Sequence, residues 1–131
     1  MEKAHNRIIF LTENSLLSTK DLFKMNIYTI YADINEGNNP HDFVKNMRKF
    51  LDSLPTLQAY RITRMKLGFR SMDIGEFRID MEFRTMQDLD DAMTQVVRND
   101  DDIESKHVAF NSMVDMETIQ HFLYRDWPDE I

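Results

Sequence analysis

Apolar and polar residues alternate strictly through residues 75–84, GEFRIDMEFR: Phe77, Ile79, Met81 and Phe83 fall on one side, Glu76, Arg78, Asp80, Glu82 and Arg84 on the other. A period of two belongs to a strand with one apolar and one charged face. Residues 26–34, NIYTIYADI, are rich in the β-branched and aromatic types that favour strands, with Tyr28, Ile30, Ala32 and Ile34 on the more apolar face. Residues 57–67, LQAYRITRMKL, predict another strand, in which Arg61, Arg64 and Lys66 interrupt the apolar residues. The connection from Gly68 to Gly75 leads straight into the charged strand, so these two strands are expected to form a hairpin with a long tip.

The period changes between the strands. Phe43, Val44, Met47, Phe50, Leu51 and Leu54 lie on one helical stripe, opened by Asn39-Pro40 and closed by Pro55. A second stripe, Met86, Leu89, Ala92, Met93, Val96 and Val97, starts at Thr85 and is expected to stop at Asn99-Asp100-Asp101-Asp102. Residues 103–113 suggest a short helix or an irregular crossing, and residues 114–125 a last strand carrying Ile119, Phe122, Leu123 and Tyr124 before the polar tail DWPDE. The order strand, helix, strand, strand, helix, strand is the ferredoxin-like split βαβ. It predicts an α+β fold, a four-stranded antiparallel sheet with two helices on one face.

Composition then narrows the classes. The chain has 131 residues, enough for one core, placed here at residues 25–131. Residues 1–24 read as an N-terminal extension, since their apolar run, Ile8 to Leu11, is short and no small-residue cleavage site follows it. No apolar run approaches the ~20 residues of a membrane helix. With no cysteine there is no disulfide framework or thiolate chemistry, which suits a reducing cytoplasm. The net charge of −7 argues against nucleic acid as a partner. It is unevenly spread: residues 40–84 carry +3 (nine basic, six acidic) and residues 85–131 carry −9 (three basic, twelve acidic). A basic middle beside an acidic last third suits self-association or an anionic ligand, as well as two plainly solvated faces.

No set of residues spells out a reaction. His41 opens the first helix beside Asp42, where a lone histidine makes a poor metal site. His121, on the last strand, is the candidate general base, its unperturbed pKa lying near neutrality; its structural alternative is a hydrogen-bonded core histidine. Tyr28, Tyr31, Tyr60 and Tyr124 put hydroxyls on strands, where packing explains them equally well. The acidic run at residues 100–104 lacks the glycine and spacing of a calcium loop. Glycine at only 37, 68 and 75 leaves no phosphate-cradling or dinucleotide fingerprint for a nucleotide cofactor, and no metal site is expected. Of ten methionines, Met47, Met81, Met86 and Met93 fall on predicted core stripes, where methionine fills irregular gaps; a malleable pocket is the alternative reading.

The stretches MNIYTIYADI, RITRMKLGF with GEFRIDMEF, and HVAFNSMV followed by FLYRDWP resemble an uncharacterised family of small bacterial proteins. That family resembles the dimeric α+β barrel superfamily, which includes antibiotic-biosynthesis-type monooxygenases and stress-responsive barrel proteins. The resemblance covers about residues 25–128 and implies a homodimer with its two sheets facing each other and a pocket between sheet and helices in each subunit. Asn111, Arg125 and Trp127 stand in these stretches; the first two are pocket candidates, and Trp127 is a cap for the core or an interface. The charged face of residues 76–84 is unusual for a covered sheet; it implies a wet face or cross-subunit ion pairs with Arg61, Arg64 or Lys66. The candidate ligand-binding residues are Tyr28, Arg61, His107, Asn111, His121 and Tyr124. Two functions follow as expectations. One is a binding protein holding a small, partly apolar organic ligand between sheet and helices. The other is a cofactor-independent, monooxygenase-like enzyme acting on an aromatic or polyketide-like substrate.

Overall fold

A computed structural model describes residues 24–68, 73–98 and 101–128. The proposed extension, except for Lys24, lies outside the described residues. The elements run β1 (Asn26–Ala32), α1 (Pro40–Ser53), β2 (Ala59–Arg64), β3 (Phe77–Phe83), α2 (Met86–Val97), α3 (Asp101–Asn111), a 3-10 turn at Met116–Thr118 and β4 (Gln120–Arg125). The strands form one sheet in the order β2-β3-β1-β4, with every neighbouring pair antiparallel. This is the ferredoxin-like order, and the α+β expectation holds.

Residues opposite one another across an antiparallel ladder share a face. One row across the covered face is therefore Ile62, Ile79, Ile30 and His121, and the next is Tyr60, Met81, Tyr28 and Leu123. The apolar side chains of β3 are at most 2% exposed, so its alternation is realised in full. Above them, α1 starts where the Asn39 side chain accepts from the His41 N–H at 2.8 Å, and buries Phe43, Met47, Phe50 and Leu51. Phe43 meets Phe77 with ring centroids 5.0 Å apart. Gly75 lies where the hairpin closes on β1: a Cβ there would sit 2.4 Å from the main chain of Ala32, a contact only glycine avoids.

Three expectations need correction. The α2 stripe is shorter than its sequence suggests: Ala92 is buried and Leu89, Met93 and Val96 partly so, but Met86 (43% exposed) and Val97 (76%) lie at ends that run past the contact. The acidic run read as a helix stop also begins α3, as acidic residues in a first turn favour a helix, and Lys106 pairs with Asp102 one turn on, at 2.9 Å. Ile103 and Phe110 anchor this third helix in the core. Finally, residues 114–125 are not one strand. Val114 makes an isolated bridge to Ile34, and the Asp115 carboxylate accepts from Glu117 N–H at 3.1 Å, turning the chain before β4. Trp127, 88% exposed, caps no part of the core.

Candidate functional site

Helix α1 and helix α3 do not fill all the space above β1 and β4. A cavity of about 80 Å³ is left there, lined by apolar side chains that include Ile30, Met47, Ile79 and Ile119, and by His107, Asn111 and His121. The three polar residues come from two elements. Register puts His121 opposite Ile30, hence on the covered face. Helical spacing puts His107 and Asn111 one turn apart on α3, so both look down at the sheet.

Each polar group is held differently. His107 packs against the touching rings of Phe50 and Phe110, with centroids 5.4 and 5.2 Å away, and burial pushes its pKa below the ordinary histidine value. Tyr28, behind His121 on β1, has its hydroxyl 2.5 Å from His121 Nδ1, and the two rings stack with centroids 5.6 Å apart. Burial pushes the Tyr28 phenol upward, keeping its proton available for that hydrogen bond. When Tyr28 donates in this contact, the imidazole hydrogen sits on Nε2. Among the described residues, neither the Asn111 amide nor the His107 ring makes a hydrogen bond. Hydrogen-bonding capacity facing a small apolar space is what a ligand site needs.

Tyr28, His107, Asn111 and His121 are thus brought together, while Arg61 and Tyr124 are not. Arg61 pairs in register with Asp80, and Tyr124 with Ile27, which puts both on the opposite, open face. Strand parity is the reason: each is an odd number of residues from a position on the covered face. Arg125 is on the covered side but sits at the far end of β4, donating from Nε to Asn26 Oδ1 at 2.8 Å. His41 lies on a separate open groove of about 610 Å³ beside Arg64 and Phe77. Sequence reasoning missed the apolar lining, Ile30, Phe43, Met47 and Ile119; only the β1–β4 register reveals that they share one space.

On the open face, Thr29 donates to Asp80 Oδ1 at 2.6 Å, and Asp80 also holds Arg78 at 3.0 Å. Arg64 pairs with Glu76 of its own chain at 2.7 Å. One pair offered as a cross-subunit contact, Arg64 with Glu76, is therefore made within one chain. Among the described residues, no cluster of three or more His, Cys, Asp or Glu side chains is placed to hold a metal ion, and no helix is long and apolar enough to cross a membrane.

Comparison with known proteins gives a family and a fold. Residues 25–131 match the family of unknown function DUF6614. None of the curated proteins matches the chain by sequence. A solved protein of Arabidopsis thaliana is 10% identical with a TM-score of 0.57, over 81% of this chain and 97% of its own. A dimeric ferredoxin-like protein of unknown function from Jannaschia is 12% identical, with a TM-score of 0.58 over 76% of this chain and 97% of its own. An ethyl tert-butyl ether D family protein from Bacillus halodurans is 13% identical, with a TM-score of 0.54 over 78% of this chain and 98% of its own. At these identities the likeness is one of fold.

Proposed function

We propose, for a chain that belongs to the family of unknown function DUF6614, that it is a homodimeric binding protein whose ligand is a small, partly apolar organic molecule held between sheet and helices. The observation that carries this reading is the convergence of His107, Asn111 and His121 on one apolar cavity, with Tyr28 orienting His121. Dimerisation is supported by the aromatic half of the open face, where Phe122 (41% exposed) and Tyr124 (48%) lie beside Tyr31 and Ile27. The Jannaschia protein of the same fold is described as dimeric.

The enzymatic alternative, a cofactor-independent monooxygenase-like activity on an aromatic or polyketide-like substrate, draws on the Tyr28–His121 contact, a base with an orienting partner. The volume favours binding of something smaller: a cavity that accepts benzene measures ~150 Å³, against about 80 Å³ here. The test is a methyl-labelled NMR screen of compounds with up to ~5 non-hydrogen atoms, with the oligomer sized by sedimentation. Binders are expected to shift the Ile30, Ile79 and Ile119 methyls, and Ile30→Phe, which fills the space, to abolish the effect. The expected mass is twice 15.7 kDa. A screen in which no compound shifts those methyls contradicts the site, and a monomer contradicts the dimer.

A further inference from the structure

The cavity's polar groups say more than that something binds. Among the described residues its lining contains no lysine, arginine, aspartate or glutamate: the side chains that reach it are apolar, apart from one carboxamide and two imidazoles. His107 packs against the paired rings of Phe50 and Phe110, an apolar setting that disfavours a cationic ring. The Tyr28 hydroxyl occupies His121 Nδ1 at 2.5 Å, which leaves Nε2 of that ring to meet a ligand. Asn111 offers both an amide N–H and a carbonyl oxygen, neither used within the described residues. An ion entering this space would leave its water without meeting an opposite charge, which is costly.

From this lining and volume we infer that the site selects an uncharged ligand with one hydrogen-bonding end and a short apolar body, such as a small amide, ketone or alcohol, and excludes carboxylates and ammonium ions of the same shape. The inference rests on the cavity being the binding site proposed above. Size sets the rest. At the ~25 Å³ per non-hydrogen atom implied by benzene in its cavity, a space of about 80 Å³ takes an enclosed portion of about three or four such atoms. The ligand's acceptor meets the His121 Nε2–H or the Asn111 amide N–H, and its apolar end points toward Ile30 and Ile79.

Acetamide and acetate make a matched pair for the test, equal in shape and different in charge. Each is titrated to molar concentration into the full chain at about pH 8, above the ordinary histidine range, at constant ionic strength. Methyl chemical shifts of Ile30, Ile79 and Ile119 report binding, and intermolecular nuclear Overhauser effects from the probe methyl locate it. The expected result is saturable binding of acetamide in the cavity and binding of acetate at least ~10-fold weaker. Acetate binding in the cavity as well as acetamide overturns the inference and leaves the site itself standing. Neither probe entering the cavity, where compounds in the wider screen do, also overturns the inference. If no compound of any charge enters, the reading of the cavity as a site has failed, and the inference with it.

Discussion

The helix-covered face of the sheet has a tight half and a loose half. Over β3, Phe77, Ile79, Met81 and Phe83 are at most 2% exposed, as is Tyr60 of β2, whose Ile62 and Arg64 border the open groove at that edge of the sheet. Over β1 and β4, Ile30 and Tyr28 are only partly buried, Leu123 is 47% exposed, and about 80 Å³ is left open. A void of that size, left empty, forfeits about 2 kcal/mol of packing. The same helices could have been packed down on a leucine at position 121. Instead the loose half keeps a histidine with its tyrosine partner, and two polar groups face it from α3. The tight half supplies stability, and the loose half is where binding chemistry can be accommodated.

Substitutions should separate the halves in order of effect. Phe83→Ala removes a ring that is 0% exposed, and should cost about 3–5 kcal/mol in urea denaturation; a loss under about 1 kcal/mol would mean the tight half is not the anchor. Gly75→Ala drives a methyl into the Ala32 main chain and should cost about 2–3 kcal/mol. Wild-type stability in that variant would show that the hairpin can move off β1. In the loose half, Tyr28→Phe loses only the hydrogen bond to His121, about 1 kcal/mol, yet should weaken ligand binding by freeing the imidazole. An unchanged binding curve would remove Tyr28 from the site.

The smallest effect is in the pH dependence. His107 has a folded-state pKa below its unfolded value because burial penalises the charged ring. The unfolded chain therefore binds the proton first, and stability is lost as pH falls through the ordinary histidine range toward the lower folded-state value. His107→Phe should flatten that part of the stability–pH curve. A slope unchanged by the substitution would show that His107 protonates as freely folded as unfolded.

The tight half was legible in the sequence and the loose half was not, for a physical reason. Strand β3 is buried on one face only, so its alternation appears letter by letter in FRIDMEF. Strand β4 is an edge strand with neither face fully covered: His121, Phe122, Leu123, Tyr124 and Arg125 are all exposed, and no alternation survives in QHFLYR. That is why the pattern starts the last strand too early and groups Tyr124, which lies on the open face, with His121. The third helix hid for a related reason. Among the described residues it contributes Ile103 and Phe110 to the buried core, too few for a clear stripe, and its start coincides with acidic residues that also read as a stop. Tyr28, His107, Asn111 and His121 could each be picked out by residue type. Their convergence depends on the β1–β4 register and the pitch of α3, which no single stretch displays.

The most direct test is to follow the ring protons of His107 and His121 in one acetamide titration. The two residues come from different elements and face one space. Both rings should therefore shift along a common saturation curve with a single dissociation constant. Rings that move with different midpoints, or a His121 that moves while His107 stays still, would mean that the histidines do not share a ligand and that the loose half of the sheet is not one site.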